Sequence, residues 1–313
     1  MIKKTIKKFA SYLGLTVVSK YDSQRQQNYI NLLESFCFNS DQLTNACEII
    51  IFSKDRALQL EALIRSYYHY SINPVRLKIL YSASNASFLE GYDKLIKQFS
   101  DKSIQFYREQ DFKKDLITLI ESIKVSKVLF LVDDIVFKKE FDCEVFTKIE
   151  PKIELLSLRH GKHLNYAYTV QKKQDLPILK TYSKLENTLT WSWENSVQDW
   201  AYPLSLDGHL FDTLEMKTLI NLLDFKAPNS LEAALQLMNP LFKKRRGICY
   251  PLSIIVNNPC NKVQVEHDNF HGTTDASFLN SEWLNGKHID LAPFHEIENA
   301  SVHQELPLKL IDQ

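Results

Sequence analysis

The stretch Glu48-Ile-Ile-Ile-Phe-Ser53 is a continuous run of mostly apolar, β-forming residues, and Lys54-Asp55-Arg56 follows it directly. A short unbroken run of this kind is typical of a strand buried on both faces of a sheet. Apolar residues then recur at helical spacing from Leu58 to Tyr67. We therefore predict a buried strand, a polar loop and a helix, in that order.

The same alternation continues to about residue 134. The further predicted strands are LKILYS (77–82), SIQFY (103–107) and KVLFLVDD (127–134), with predicted helices at 88–99 and 116–123. Alternating strands and helices predict a Rossmann-type α/β fold, with a mostly parallel sheet and helices on both faces. Ligands of such sheets bind at the carboxyl ends of the strands, which here are 53–56, 81–85 and 133–134.

The pattern is less regular after residue 150. The predicted strands there are 153–158, 188–193 and 250–256, and the predicted helices are 212–223, 230–237 and 276–283. No Pro-, Gly- or Ser-rich linker separates the halves, and no internal repeat is present. We expect a helical lead-in at 1–46 and one domain at 47–313, made of a regular half (47–150) and a less regular half (151–313).

Composition excludes several classes of function. The 313 residues include 38 basic and 38 acidic side chains, a balance that argues against a general nucleic-acid binder. Only seven glycines occur, and neither a dinucleotide-binding nor a P-loop motif is found. Five cysteines without C-x-x-C spacing indicate free thiols in a reducing compartment. Because neither a membrane-spanning run nor a signal peptide is recognised, we predict a cytoplasmic protein.

Residues 1–13, MIKKTIKKFASYL, have apolar residues at helical spacing with four lysines between them. This pattern predicts a short basic amphipathic helix. Two interpretations stay open. The helix docks on the anionic cytoplasmic face of a membrane, or it packs on the domain with its lysines in solvent.

The pair Asp133-Asp134 ends the fourth predicted strand. Adjacent carboxylates repel each other unless they are solvated or share a cation. Mg²⁺ or Mn²⁺ takes oxygen ligands of this kind and also binds diphosphates. The alternative is a solvated acidic turn, but the position at a strand end favours a metal site.

Four segments carry a resemblance to a known family: IIIFSKDRALQLEALIRSYY (49–68), LVDDIVF (131–137), YPLSLDGHLF (202–211) and APNSLEAAL (227–235). Over residues 48–270 the chain resembles bacterial GT-A-type glycosyltransferases of surface-polysaccharide assembly, such as those of capsule or O-antigen. The resemblance implies a GT-A-like fold, a nucleotide-sugar donor and a divalent metal. The first half would then bind the donor and the second half the acceptor.

The resemblance also implies roles for particular residues. The donor-binding loop would be Ser53, Lys54, Asp55 and Arg56, and the DxD-type metal motif would be 132–134. Val132 replaces the first acid of that motif, which leaves Asp134 as the metal ligand and Asp133 facing the ribose or sugar. Arg56 would contact the donor phosphates, or else be a surface arginine paired with Asp55.

Later residues supply the remaining candidates. His271 or His267 would be a further metal ligand, although either is also explained as a hydrogen-bonded loop residue. Glu232, then Asp207, then Asp199 are candidates for the base that deprotonates the acceptor. Glu232 is equally explained as an acid favoured at a helix N-terminus, and Asp207 as part of an Asp-Gly turn.

Two further features each allow a functional and a structural interpretation. Trp191, Trp193, Trp200 and Tyr202 would stack on a sugar or pack in the core. The basic run FKKRRG (242–247) would contact phosphates or an anionic membrane, or form a solvated loop.

The expected function is therefore a metal-dependent, inverting glycosyltransferase. It would use Mn²⁺ or Mg²⁺ and a nucleotide-diphosphate sugar, with a UDP-sugar favoured, and a glycan or lipid-linked acceptor. A non-catalytic nucleotide-sugar- or glycan-binding protein, or a scaffold, is the alternative. A nucleotidyltransferase ranks lower, because that class generally has a Gly-rich loop after its first strand and SKDRALQL (53–60) has no glycine.

Overall fold

A computed structural model describes residues 43–260 and 274–312. The strands are β1 (Thr44–Lys54), β2 (Ser71–Ile72), β3 (Leu77–Ser82), β4 (Ile104–Arg108), β5 (Val125–Val132), β6 (Ile135–Phe137), β7 (Phe141–Asp142), β8 (Glu154–Leu156), β9 (Tyr166–Ala167), β10 (Lys172–Lys173), β11 (Lys180–Thr181), β12 (Leu189–Ser192), β13 (Leu210–Asp212), β14 (Arg246–Cys249), β15 (Ile255–Asn257), β16 (Lys287–Ile289) and β17 (Leu310–Asp312). The α-helices are α1 (Ala57–Tyr70), α2 (Ala86–Gln98), α3 (Phe112–Glu121), α4 (Val145–Lys148), α5 (Thr213–Leu222), α6 (Pro228–Leu235), α7 (Asn239–Phe242) and α8 (Ala276–Leu284). Short 3₁₀ turns cover Tyr168–Val170, Gln198–Ala201, Gln236–Met238 and Ala292–Phe294.

A five-stranded sheet in the order β13-β5-β1-β3-β4 forms the centre of the molecule. Strands β5, β1, β3 and β4 are parallel, and β13 runs antiparallel beside β5. These parallel strands are the four that the sequence predicts, and α1, α2 and α3 are the predicted helices between them. The predicted fold class, a mostly parallel α/β sheet with helices on both faces and a less regular C-terminal half, is confirmed.

Alternate residues of β1 face two separate parts of the core. Ile49 and Ile51 pack in a cluster with residues of α1 and α2, whereas Ile50 and Phe52 pack in a cluster with residues of α3 and α5. Because both faces are covered, the strand has no polar face, which explains its unbroken apolar sequence. Full burial of each such side chain stabilises the fold by about 1.5–3 kcal/mol.

The second half of the chain adds a four-stranded sheet in the order β11-β12-β14-β8. It also supplies β13 to the central sheet, where Leu210 lies opposite Leu129 of β5. The division into a donor half at 47–150 and an acceptor half at 151–313 stays a prediction.

The predicted strand over 250–256 is wrong for most of its length, because only Ile255–Asn257 is extended and paired. Pro251 has no backbone N–H to donate to a neighbouring strand. The Ser253 N–H donates instead to Nε2 of His163, at 3.1 Å. The Ser253 N–H is therefore satisfied by a side chain rather than by a neighbouring strand.

The tryptophans of the second half belong to the core. Trp191, Trp193 and Trp200 are buried, and Nε1 of Trp191 donates to the carbonyl of Trp200 at 3.1 Å. Core packing therefore explains these three residues, and they do not form an exposed sugar-stacking wall. Tyr202 is only partly buried.

The basic run 242–247 is divided between structural and exposed residues. Arg245 is buried and forms a two-armed ion pair with Glu215, at 2.7 and 2.8 Å. Its guanidinium also lies 3.8 Å from the centre of the Phe242 ring. Lys244 and Arg246 are exposed.

The structure bears on the question of membrane-spanning helices and on the cysteines. Within the described ranges, no helix is long and apolar enough to cross a bilayer. The predicted amphipathic helix at 1–13 lies outside the described residues. Cys47, Cys143, Cys249 and Cys260 are free, buried thiols, as the sequence predicts.

We expect Gly247→Ala to destabilise the fold. A Cβ at this position would lie 2.3 Å from the Trp191 ring, which fills the space beside the glycine. Overpacking of this kind costs about 1–3 kcal/mol, to be measured as the free energy of unfolding in urea. In a Trp191→Leu background the added methyl should cost less, so the two losses of stability should not be additive. Equal stability of wild type and Gly247→Ala would contradict the packing argument.

Candidate functional site

The predicted loop after β1 and the predicted acids after β5 lie together at the carboxyl edge of the central sheet. Nη1 of Arg56 donates to Oδ1 of Asp133 at 2.9 Å and lies 3.3 Å from Oδ2 of Asp134. The backbone N–H of Lys54 donates to Oδ2 of Asp133 at 3.0 Å. Arg56 thus pairs with the two acids rather than with Asp55, and one guanidinium is shared between two carboxylates.

Ser53 and Asp55 fix the shape of this loop. Asp55 has a positive φ of 55°, and its Oδ1 accepts the N–H of Ser84 at 2.7 Å. That bond ties the loop after β1 to the loop after β3. The hydroxyls of Ser53 and Tyr92 are 2.7 Å apart, and the Tyr92 oxygen also accepts the N–H of Arg56 at 3.2 Å. The side chains of Ser53 and Asp55 therefore each form a hydrogen bond within the protein, next to the predicted donor site.

Asp134 is held from a second direction by β15 and the residue after it. Nδ2 of Asn257 donates to its Oδ1 at 3.3 Å, and the N–H of Asn258 donates to its carbonyl at 2.8 Å. Burial raises the pKa of Asp134 to about 6, the Arg56 charge opposes that rise, and the Asp133 charge adds to it. The buried Oδ1 of Asn257 has no hydrogen-bond partner among the described residues.

The chemistry of these groups fits a hard divalent cation. Carboxylate oxygens of Asp133 and Asp134 and the free carboxamide oxygen of Asn257 are the donor types that Mg²⁺ and Mn²⁺ prefer. Across 43–260 and 274–312, however, no group of three or more His, Cys, Asp or Glu side chains is placed to hold a metal ion. His267 and His271 lie outside the described residues, so their predicted role stays a prediction.

Asp207 lies beside this cluster because β13 pairs with β5. The N–H of Gly208 donates to the carbonyl of Phe130 at 2.8 Å, which brings Asp207 to the carboxyl end of β5. Oδ2 of Asp207 accepts from Nη1 of Arg159 at 3.1 Å and lies 3.3 Å from Nε2 of His303. Neither contact uses Oδ1 of Asp207.

The charges around Asp207 favour its ionised form. Burial raises the pKa of Asp207, but the His303 hydrogen bond and the charges of His303 and Arg159 outweigh burial and leave the pKa below its ordinary value. Burial lowers the pKa of His303, and its contact with Asp207 outweighs this and raises the pKa overall. The two groups therefore form a buried ion pair over part of the pH range.

Both oxygens of Glu232 already have partners. Oε1 accepts the Tyr202 hydroxyl at 3.0 Å, and Oε2 accepts the N–H of Leu206 at 2.8 Å. Burial and the nearby charge of Asp207 raise the pKa of Glu232. These contacts anchor the segment that leads into Asp207, and the role of Glu232 as the base stays a prediction.

Asp199, the third candidate base, belongs to the same network. Its Oδ1 lies 3.7 Å from Nη2 of Arg159, and its Oδ2 accepts from Nε2 of Gln174 at 3.2 Å. Arg159 thus contacts both Asp199 and Asp207.

Four residues of the site were not found from the sequence: Tyr92, Arg159, Asn257 and His303. Arg159 follows a predicted strand in the segment LSLRHG (156–161), which is a weak signal for a residue at a strand end. His303 lies in an irregular segment, with no periodic pattern to indicate its position.

Comparison with known proteins adds one sequence relative. The chain is similar to a glycosyltransferase. The match is to the bifunctional glycosyltransferase pgtA of Dictyostelium discoideum, with 28% identity over 195 residues, covering 56% of this chain and 25% of the relative. The match thus spans a quarter of that relative's length. No family model matches the sequence.

Solved structures resemble the fold at low identity. TarS 1–349 of S. aureus in complex with UDP is 14% identical, with a TM-score of 0.43, and the match covers 66% of this chain and 58% of that chain. PcManGT, a mannosyltransferase of Pyrobaculum calidifontis in complex with GDP-Man and Mn²⁺, is 10% identical, with a TM-score of 0.30 and coverage of 43% and 44%. A nucleotidyl transferase of Methanothermobacter thermautotroptrophicus is 8% identical, with a TM-score of 0.37 and coverage of 68% and 91%. These scores do not distinguish one activity from another.

We expect the Asp207–His303 pair to stabilise the fold only within a limited pH range. A lowered Asp pKa contributes stability above the unfolded value of about 4, and a raised His pKa contributes stability below the unfolded value of about 6.5. The free energy of unfolding lost in His303→Gln should therefore be largest between about pH 4 and 6.5 and decline at higher pH. Urea denaturation of both proteins across this range measures the difference. A loss that does not change with pH would contradict the ion pair.

Proposed function

We propose that this chain is a glycosyltransferase that moves a sugar from a nucleotide-diphosphate sugar to a glycan or lipid-linked acceptor. The observation that carries the proposal is the shared cluster of Asp133, Asp134 and Arg56 at the carboxyl ends of β1 and β5. Ligands of parallel α/β sheets bind at this edge. The sequence similarity to a glycosyltransferase supports the same class of reaction.

The donor would bind with its diphosphate beside Arg56 and the two acids. A UDP-sugar is the favoured donor, and Mn²⁺ or Mg²⁺ the favoured metal. Asp134, Asp133 and the carboxamide oxygen of Asn257 would hold the metal, and when bound it supplies Lewis-acid stabilisation of the leaving diphosphate. Arg56 would then exchange its carboxylate partners for phosphate oxygens, which its planar guanidinium binds well.

Asp207 is the base that the geometry favours over Glu232. Arg159 and His303 hold one carboxylate oxygen of Asp207 and keep it ionised, which leaves Oδ1 for the acceptor hydroxyl. In an inverting transfer, the acceptor oxygen bonds to the anomeric carbon while its proton passes to Asp207. The bond from that carbon to the diphosphate breaks, and the nucleoside diphosphate leaves with the electron pair.

The proposed setting is polysaccharide or glycan assembly in the cytoplasm, or on the cytoplasmic face of a membrane. The second candidate is a non-catalytic protein that binds a nucleotide sugar or glycan. The Arg56 contact with both acids favours it, because a guanidinium already offsets part of their charge without a metal. Dependence of nucleotide binding on metal discriminates the two.

We expect one nucleotide to raise the melting temperature only when Mn²⁺ is present. The test is a thermal-shift panel of UDP, GDP, CDP and TDP and their sugars, with and without Mn²⁺. A ligand at ~100 times its Kd stabilises the fold by about 2.7 kcal/mol. Asp134→Ala should abolish the shift, and Arg76→Met, an exposed arginine paired with Glu48, should keep it. If no nucleotide shifts the melting temperature, the non-catalytic glycan-binding candidate replaces the transferase.

We expect Arg56 to compete with a metal ion for the two carboxylates, and the variant Arg56→Met tests this competition. In Arg56→Met, Mn²⁺ alone should bind more tightly than in wild type, because no guanidinium competes for the carboxylates. Nucleotide with Mn²⁺ should bind more weakly, because the phosphate contact is lost. Calorimetry measures both affinities. Parallel loss of both would indicate that Arg56 is only structural.

We expect Asp207→Asn to lower kcat by roughly 10²–10⁴-fold, the usual contribution of a general base. Nucleotide binding with Mn²⁺ should be retained. Glu232→Gln should keep most of the activity, because a carboxamide oxygen still accepts the Leu206 N–H. The assay measures release of nucleoside diphosphate from the donor identified by the panel. Full activity of Asp207→Asn with loss in Glu232→Gln would make Glu232 the base.

A further inference from the structure

One end of the four-stranded sheet is unusually rich in exposed aliphatic side chains. Strand β12 is antiparallel to both β11 and β14, and β14 is parallel to β8. The starts of β11, β14 and β8 therefore lie at the same end of the sheet as the finish of β12. The segments next to these strand ends therefore lie around one end of the four-stranded sheet.

Each of these segments carries an exposed apolar residue at that end. Ile153 directly precedes β8, Ile178 lies two residues before β11, Val197 lies five residues after β12, and Leu241 lies five residues before β14. Their exposed fractions are 53%, 82%, 50% and 55%, and Leu237, one helical turn before Leu241, is 68% exposed. Side chains of this size are normally buried, so five exposed ones around one end of the sheet indicate a contact surface.

Basic side chains lie among these apolar residues. Lys152, Lys180, Lys244 and Arg246 are exposed, and Lys243 is partly exposed. Only Lys152 of these five has an ion pair with a described residue, at 3.9 Å from Asp212. The exposed acids of the same segments are Glu150, Asp175 and Glu194, so basic charge is in excess. We define this set of five apolar and five basic residues as the basic apolar edge.

We propose that the basic apolar edge docks on the surface of an anionic lipid bilayer. Single large aliphatic residues with lysines beside them are the pattern of interfacial binding, in which apolar side chains enter the headgroup region and cations contact anionic lipids. The apolar residues come from separate segments, one or two from each, rather than from one amphipathic stripe. A fluid lipid surface accepts such scattered anchors without requiring a complementary shape.

The position of the edge suits a membrane-bound substrate but does not depend on the proposed reaction. Arg159 of the candidate site follows the other end of β8, six residues beyond Ile153. At about 3.3 Å per residue, Ile153 and Arg159 are at most ~20 Å apart. Docking through Ile153 would therefore hold Arg159 within about 20 Å of the contacted bilayer surface.

Vesicle sedimentation tests the proposal with the full chain. To separate this edge from residues 1–13, the starting protein carries Lys3, Lys4, Lys7 and Lys8 all changed to Gln. The probes are vesicles of phosphatidylcholine alone and of phosphatidylcholine mixed with phosphatidylglycerol. The starting protein should bind the anionic vesicles more tightly, and salt should weaken that binding by screening.

Two edge variants and two controls complete the design. Lys243→Gln with Lys244→Gln should weaken binding to anionic vesicles by roughly 30-fold, because each lysine near the surface contributes ~1 kcal/mol. Ile178→Ser with Leu241→Ser should weaken it by at least about tenfold, because the anchors are lost. Phe278→Ser on α8, with an exposed apolar side chain, and Lys114→Gln on α3, with an exposed cation, should bind like the starting protein. Unchanged melting temperatures show that the variants fold.

The proposal is overturned if the starting protein does not sediment with anionic vesicles. It is also overturned if both edge variants bind as well as the controls do. Binding to soluble polyglutamate that the lysine changes weaken, without vesicle binding, would point instead to an acidic protein partner. None of these outcomes bears on nucleotide binding, so the glycosyltransferase proposal is tested separately.

Discussion

The candidate site depends on one guanidinium that lies between two adjacent buried carboxylates. Without Arg56, Asp133 and Asp134 would repel each other in a poorly solvated position, which is costly. The ion pairs join the loop after β1 to the turn after β5, and Asn257 connects the same turn to β15. The positive charge of Arg56 therefore offsets the repulsion between the two carboxylates and joins these segments of the site.

Asp207 and Glu232 show how similar acids acquire different environments from their contacts. Arg159 and His303 hold one oxygen of Asp207, whereas partners occupy both oxygens of Glu232. Burial raises the pKa of both acids, but contacts with His303 and Arg159 leave the pKa of Asp207 below its ordinary value, whereas the charge of Asp207 adds to the rise for Glu232. The sequence alone placed Glu232 first, since its helix start was visible and the partners of both acids were not.

The first half of the fold was predictable because burial on both faces of the sheet leaves a strong local pattern. Unbroken apolar runs such as Ile49 to Phe52 indicate strands, and the acids and Arg56 of the site come directly after such runs. Three-residue β13 has no comparable signal. The contacts of Arg159 and His303 join residues distant in the chain, through irregular segments, and no local spacing encodes them. The roles of Ser53, Lys54 and Asp55 in donor binding stay predictions. In the structure each of these residues forms a hydrogen bond within the protein.

Strand β13 is synthesised long after β5, the strand it pairs with, and this order has a consequence for the nascent chain. Leu210 fills the sheet edge beside Leu129, about eighty residues after β5 has been synthesised. Until then, the emerging β1–β5 unit has an open edge of unpaired N–H and C=O groups, which is a template for pairing with another chain. The ribosome adds ~5–20 residues per second, so this edge stays open for several seconds. Chaperone binding to the partly synthesised chain would matter most in that interval.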